Sequence, residues 1–273
     1  MINFTQIQVV NCLKEKFHYI RVLFNNNTLS IILNRPTKKN ALCPKMMDEI
    51  AFALCYAHYT ADVRLVVIRA IGDVFCAGAD LKAFAGDIEP HESSIPEASG
   101  EVLLGDIFHT VHKPCIAVIE GDVYAGGLFF LAGCHYVFSL DNVKLGLPEV
   151  KRGLFPFQVM AALLEVMPTR IVIDWCLQGY NLPVATAFEL GLVTHISTKD
   201  NLQKDILQLS NVILGNSPTA IRNGLSAFDL IRKSNTSMQL ELKNLLKATI
   251  TSKDAQEGLT AFKEKRKPNW TGE

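Results

Sequence analysis

The chain has 273 residues, with 27 basic and 27 acidic side chains and a formal charge of zero. About half of its residues are apolar (49%) and a fifth are charged (20%), a balance that packs a core and excludes a disordered chain. Zero net charge withholds the long-range attraction that nucleic-acid and anionic-membrane binders use, so neither partner is expected and a small molecule is the default ligand. The length allows one large domain or two small ones. The opening stretch MINFTQIQVVNCLKEKF has no basic segment followed by an apolar run, so no secretory signal is expected. The longest apolar run, Tyr124 to Cys134, falls well short of the ~20 residues that cross a bilayer. Cysteines at 12, 43, 55, 76, 115, 134 and 176 are odd in number and form no C-x-x-C pair. Most have apolar neighbours, which reads as free thiols in a reducing compartment, hence the cytoplasm.

In chain order, residues 18–24 and 28–33 read as strands around the turn Asn25-Asn26-Asn27. Met46, Met47, Ile50, Leu54 and Ala57 recur at helical spacing and predict a helix over 44–59. Residues 64–70 (RLVVIRA) form a nearly continuous apolar strand, as buried parallel strands do. The polar stretch 86–100 carries two prolines and reads as a loop. A helix from about 101 ends before Lys113-Pro114. Strand 115–120, a glycine-rich turn, a short helix from 126, strand 136–140 and a helix from about 157 follow. This alternation is an α/β pattern with mostly parallel strands. A helix over 183–190 closes on Gly191, and strand 193–196 leads to helices near 200–214, 218–232, 235–251 and 254–265. The expected division is an α/β body, residues 1–197, and a helical region, residues 198–273.

Several constellations drop out. The chain has no G-x-S-x-G and no H-E-x-x-H. His109-x-x-His112 has a spacing seen in metal sites, but a surface or capping pair is expected there, and no metal. Gly121-x-x-x-x-Gly126-Gly127 has the glycine spacing of a phosphate loop without its Lys and Ser/Thr. Two small-residue turns remain, Cys76-Ala77-Gly78-Ala79-Asp80 and Tyr124-Ala125-Gly126-Gly127-Leu128. Each lies between a buried strand and a helix, where backbone N–H groups are left free and a ligand approaches closely. Facing each other they would form an oxyanion hole; otherwise they are two tight structural turns. Glu149 follows Pro148 in an apolar segment. It reads as a general base with raised proton affinity, or as an exposed carboxylate ahead of Lys151 and Arg152.

Taken in order, these segments resemble the crotonase (enoyl-CoA hydratase/isomerase) superfamily over nearly the whole chain. Arg35-Pro36 through Asn40-Ala41-Leu42 resembles its N-terminal element. Phe75 to Lys82 and Gly121 to Leu128 resemble its two oxyanion motifs. Leu147-Pro148-Glu149 with Gly153-Leu154-Phe155-Pro156 resembles its catalytic-Glu segment, and Ala261 to Pro268 its C-terminal signature. The resemblance implies an α/β, crotonase-like spiral of ββα units with a C-terminal helical region that forms homotrimers, often paired into hexamers. It implies an acyl-CoA thioester as substrate, with coenzyme A part of that substrate and no separate cofactor. The thioester oxygen would be held by the N–H groups of Ala79 and Gly126, and a proton would be moved by Glu149. Ala41, Leu42, Ala77, Asp80, Leu81, Lys82, Gly127 and Phe129 would line the substrate and CoA site. Phe262 and Lys265 would join them, often across a subunit boundary. The loop around 86–100 would shape the acyl end.

Two positions depart from the hydratase pattern. Hydratases of the family carry a second Glu where this chain has Phe129, which leaves Glu149 alone to move a proton. One base suffices for a double-bond isomerisation, whereas hydration benefits from two. Phe157-Gln158-Val159-Met160 replaces a glycine-rich stretch and implies a drier, reshaped acyl pocket. The expected activity is therefore isomerisation or hydration of an enoyl-CoA. The alternatives are a crotonase-fold dehydratase of polyketide β-branching, or a homologue that binds CoA thioesters without turnover.

Overall fold

The first hairpin joins β1 (Ile20–Asn25) to β2 (Thr28–Leu33) through Asn26 and Asn27, both left-handed at φ 47° and 59°. Asparagine tolerates that conformation, and a two-residue turn needs it at both positions. The computed structural model describes residues 3–87, 89–232 and 238–269. After the hairpin come β3 (Leu65–Ala70), β4 (Val74–Cys76), β5 (Cys115–Ile119), β6 (Asp122–Tyr124), β7 (Tyr136–Leu140), β8 (Lys144–Gly146), β9 (Asn181–Pro183) and β10 (His195–Ser197). The helices of the α/β body are α1 (Gln6–Val9), α2 (Pro44–Tyr59), α3 (Leu81–Phe84), α4 (Leu104–Thr110), α5 (Leu128–Gly133), α6 (Phe157–Leu163), α7 (Thr169–Gln178) and α8 (Val184–Glu189). The C-terminal helices are α9 (Leu202–Gly215), α10 (Pro218–Arg232), α11 (Met238–Ile250) and α12 (Lys253–Glu264).

Six strands form one sheet in the order β1-β2-β3-β5-β7-β10, parallel from β2 onward. The interior strands read as apolar runs because both faces are covered: all five residues of β5 are buried. Four three-residue strands form a second sheet, β4-β6-β8-β9, with β4, β6 and β8 parallel. From β3 to β8 each turn of the chain thus adds one strand to the first sheet, one short strand to the second, and then helix. This is the ββα spiral that the family resemblance implies. The short strands escape a reading by alternation because three residues are too few to show a period of two.

Helix α2 opens on Pro44, where the missing N–H costs nothing. Its fully buried Glu49 accepts backbone N–H bonds from His18, Tyr19 and Ile20 at 2.7, 2.8 and 3.1 Å, fixing the helix to the start of β1. At the other end of the chain, α11 packs on α6 and α12 on the segment 148–152. A Cβ on Gly258 would lie 2.4 Å from the Arg152 carbonyl oxygen, so α12 meets that segment backbone to backbone. The helix expected from 101 begins at Leu104, and part of the one expected over 235–251 lies outside the described residues. Among the described residues no helix is long and apolar enough to cross a membrane.

Candidate active site

The site begins with the segment after β2. Buried Asn40 donates to the carbonyls of Ile71 and Val74 (2.9 Å each) and accepts from the Arg35 N–H (2.8 Å). Its own backbone and that of Lys39 are left-handed, both at φ 52°. This knot presents Leu42 to Ala79 as an isolated parallel bridge. The Leu42 N–H donates to the Gly78 carbonyl, and the Leu42 carbonyl accepts from the Asp80 N–H, both at 2.8 Å. In that register the N–H of Ala79 points away from Leu42 and stays outside the bridge.

Gly126 faces it. It is the second residue of the 3-10 turn Ala125–Gly127, which follows β6 without a side-chain cap. Its N–H precedes the first intrahelical bond and is available to a ligand. The two turns are pressed together. A Cβ on Gly78 would lie 2.6 Å from the Cβ of Ala125 and 3.3 Å from the nitrogen of Gly126. A Cβ on Gly126 would lie 3.7 Å from the nitrogen of Ala79. Gly78 and Ala125 both take positive φ, 92° and 53°, to allow this approach. Two N–H donors therefore stand together at the start of two helical segments, an arrangement suited to one oxygen acquiring negative charge.

Glu149 enters from β8. Pro148 opens the 3-10 turn Pro148–Arg152 and sets Glu149 in its first turn. Its Oε2 atom is buried without a hydrogen-bond partner. Burial pushes the carboxyl up to about 7, against the opposing pull of its own N–H and of Arg152. Glu149 lines a cavity of about 130 Å³ together with Ala77, Ala79, Gly126, Phe129, Arg152 and residues 154–159. A second cavity, about 230 Å³, shares Ala79, Leu81, Gly126, Phe129, Gln158, Leu246 and Ile250 with the first. It is further lined by Leu42, Met47, residues 101–105, and Lys243 and Lys247 of α11. A larger cavity of about 550 Å³, around His109, His112 and His135, shares no residue with either. Size does not locate the chemistry here; the convergence of donors and base does.

The structure thus gathers Ala77, Ala79, Leu81, Gly126, Phe129 and Glu149 around one cavity, with Leu42 in the adjoining one. Other residues named from the sequence support those turns. The Ala41 carbonyl accepts from Arg35 (3.0 Å). Asp80 caps α3 through the Ala83 N–H and pairs with Arg35 at 2.7 Å. Partial burial raises the Asp80 carboxyl, and the hydrogen bond from Arg35 outweighs it, leaving the group below the usual carboxylate range. Gly127 faces inward, where a Cβ would lie 2.9 Å from Cys76 and Val123 side-chain atoms. Lys82, Phe262 and Lys265 are exposed and line neither cavity. Phe262 lies over the Arg152 guanidinium at 4.5 Å within the same chain.

Two expectations are corrected. Among the described residues, none of the loop 86–100 lines either of these two cavities, whereas residues 101–105 line the second. Hydrogen bonds from Ser94 to Lys16 and from Ser99 to Asn3 hold that loop against the N-terminal segment instead. His109 and His112 are not a simple surface or capping pair: they face the carboxylates of Glu165 and Asp229 at 3.4 and 3.5 Å. No group of three potential metal ligands occurs among the described residues. The sequence reading also passed over Arg35, Asn40, Arg152 and the inner face of α11. That face was visible in principle, because Lys243, Leu246, Lys247 and Ile250 fall at i, i+3, i+4 and i+7.

Comparison with known proteins agrees with this geometry. A family model described as enoyl-CoA hydratase/isomerase matches residues 24–273. The enoyl-CoA hydratase EchA19 of Mycobacterium tuberculosis is 32% identical over 254 residues, covering 89% of this chain and 93% of its own. A carnitinyl-CoA dehydratase of Escherichia coli is 29% identical over 272 residues, 95% of this chain and 100% of its own. The solved structure of carnitinyl-CoA hydratase from Mycobacterium avium has a TM-score of 0.82 at 27% identity, covering 94% of this chain and 100% of that one. Methylmalonyl CoA decarboxylase, at 22% identity and a TM-score of 0.78, shares the fold. With the family pattern spanning nearly all of its length and two small-residue turns meeting one buried glutamate, this chain belongs to the enoyl-CoA hydratase/isomerase family of enzymes.

Proposed function

We propose that this enzyme moves the double bond of an enoyl-CoA thioester, with Glu149 as the one acid–base group. The supporting observation is that, among the described residues, Glu149 is the one carboxylate lining the 130 Å³ cavity with Ala79 and Gly126, while Glu101 in the adjoining cavity is paired with Lys243. The Glu149 carboxylate takes a C2 proton from a 3-enoyl-CoA. The electrons move onto the thioester oxygen, giving a dienolate held by the two N–H groups. The now neutral Glu149 returns the proton to C4, and the double bond lies between C2 and C3. A carboxyl near 7 serves both halves of this exchange. The two donors bind the charged oxygen more tightly than the neutral carbonyl, each contributing about 3 kcal/mol in comparable sites. Lys82, Phe262 and Lys265 are proposed to receive the CoA moiety, and residues 198–273 to carry assembly into a trimer or hexamer in the cytoplasm.

Hydration is the second reading, favoured by relatives named as a hydratase and a dehydratase. Phe129 weighs against it, because an apolar ring stands in the wall where a second carboxylate would hold water. Binding without turnover fits poorly with a buried, unpaired carboxylate, which costs stability and serves no purpose in a passive site. The test assays 3-enoyl- and 2-enoyl-CoA with the wild type and Glu149→Gln. Isomerisation of the 3-enoyl thioester, lost in the variant, is the expected result. Undiminished turnover in Glu149→Gln would remove it as the base. Faster hydration of the 2-enoyl thioester would replace the isomerase reading.

A further inference from the structure

The 230 Å³ cavity that holds Ala79 and Gly126 has a mostly apolar wall that includes Leu104, Phe129 and Leu246. Its charged lining groups, among the described residues, are Lys243 and Lys247 of α11 and Glu101. Lys243 is 8% exposed. Its ammonium pairs with Glu101, whose side chain is half exposed and free to turn toward water. Lys247 lies one helical turn further along the same face. Like charges at this spacing repel, and burial together with Lys247 lowers the proton affinity of Lys243. Among the described residues lining the cavity, two ammonium groups stand against one carboxylate, which leaves a positive charge unbalanced in a mostly apolar wall. An alkyl tail has nothing to offer that charge, whereas a site built around charged groups rejects ligands that lack the matching group.

We infer that the acyl group this site accepts ends in a carboxylate, received by Lys243 with Lys247 beside it. The inference rests on the enoyl-CoA reading of the site and adds the substrate class. Glu101 then acts as a stand-in, holding Lys243 until the substrate's own carboxylate arrives.

The experiment compares thioesters matched in length, 3-hexenedioyl-CoA against 3-hexenoyl-CoA and 3-octenedioyl-CoA against 3-octenoyl-CoA. The expected wild-type preference in kcat/KM is about tenfold to a hundredfold for the carboxylated member, the range for a hydrogen bond to a charged group. Lys243→Met should abolish that ratio and Lys243→Arg should keep it. Lys247→Met, at an exposed position, should weaken it, and Glu101→Gln should increase it. Equal or better turnover of the alkyl member at both lengths overturns the inference. So does a Lys243→Met variant that loses activity on both members equally, since that is the signature of a structural latch between α11 and residue 101. Calorimetry with Glu149→Gln reads the same preference without turnover. Selective binding of the carboxylated thioesters by a protein that isomerises neither would sink the isomerase reading alone. Isomerisation without selectivity would sink this inference alone.

Discussion

Glu149 combines a buried oxygen with no partner and a position beside two free N–H groups, so its protonation governs both activity and stability. The proposed isomerisation starts from the charged form, and burial pushes the carboxyl up to about 7. A pH profile of kcat/KM should therefore rise through about 7 and level off above it. Stability should run the other way. The folded carboxyl holds its proton more tightly than the unfolded one (about 7 against 4.5), so its contribution is fullest below 4.5 and is lost as pH rises through 7. The charged form costs at most about 3 kcal/mol at alkaline pH. Glu149→Gln should accordingly melt higher than the wild type near pH 8, and the gap should close near pH 4; thermal melts across that range check it. The two glycines of the oxyanion turns separate by the same logic of contacts. A methyl on Gly126 meets Leu42, Ala79 and Gly78 at 3.6–3.8 Å, ordinary contact, but stands before the Ala79 N–H. Gly126→Ala should fold normally and lose about 10²–10³ in kcat. Gly78→Ala, at φ 92° with a clash at 2.6 Å, should lose about 1–3 kcal/mol of stability as well. Melting temperature and kcat measured on both variants distinguish the two outcomes.

At the scale of elements, the site depends on a segment that is neither helix nor strand. Residues 35–42 are held by Asn40, which reaches three backbone groups from three places in the chain. Asn40→Ala strands those groups in a buried setting, each worth about 1–3 kcal/mol when unpaired. A loss near 3 kcal/mol in urea unfolding is expected, together with reduced turnover as Leu42 no longer holds Ala79 in place. The elements themselves were legible to unequal degrees. Helix α2 over 44–59 and strands β2 and β7 fell where their periodicity put them, since long amphipathic or apolar runs have few alternatives. The strands β4, β6, β8 and β9, of which the first three lead into the two small-residue turns and Glu149, were not legible as a sheet. Each is three residues long, and it exists because a neighbour in the spiral pairs with it.

Across the whole molecule, balance conceals local contrast. The formal charge is zero, yet two lysines line one cavity and, elsewhere, Arg35 holds the carboxylates of Asp80 and Glu89. The cysteines follow the opposite rule and behave as one class. All seven are free and buried, and burial raises every one of their thiols. Thiolate is the reactive form, so a disulfide reagent should label none of the seven quickly in the folded protein and all seven after denaturation. Fast labelling of even one thiol in the native state would contradict this packing.

The sequence alone determined the α/β class, the hairpin, the two small-residue turns and the Pro-Glu step. These are local properties, written in periodicity, in glycine and asparagine placement and in neighbours along the chain. The tertiary structure decided which of them meet. It pressed Gly78 against Ala125, withdrew one oxygen of Glu149 from water and left Lys82, Phe262 and Lys265 on the surface. It also brought α11 over the cavity to set charged groups in its wall that composition could not reveal. The reason is physical: burial and hydrogen-bond satisfaction are properties of packed neighbours far apart in sequence, and proton affinity follows burial. A glutamate becomes a base near neutral pH only when the rest of the chain has closed around it.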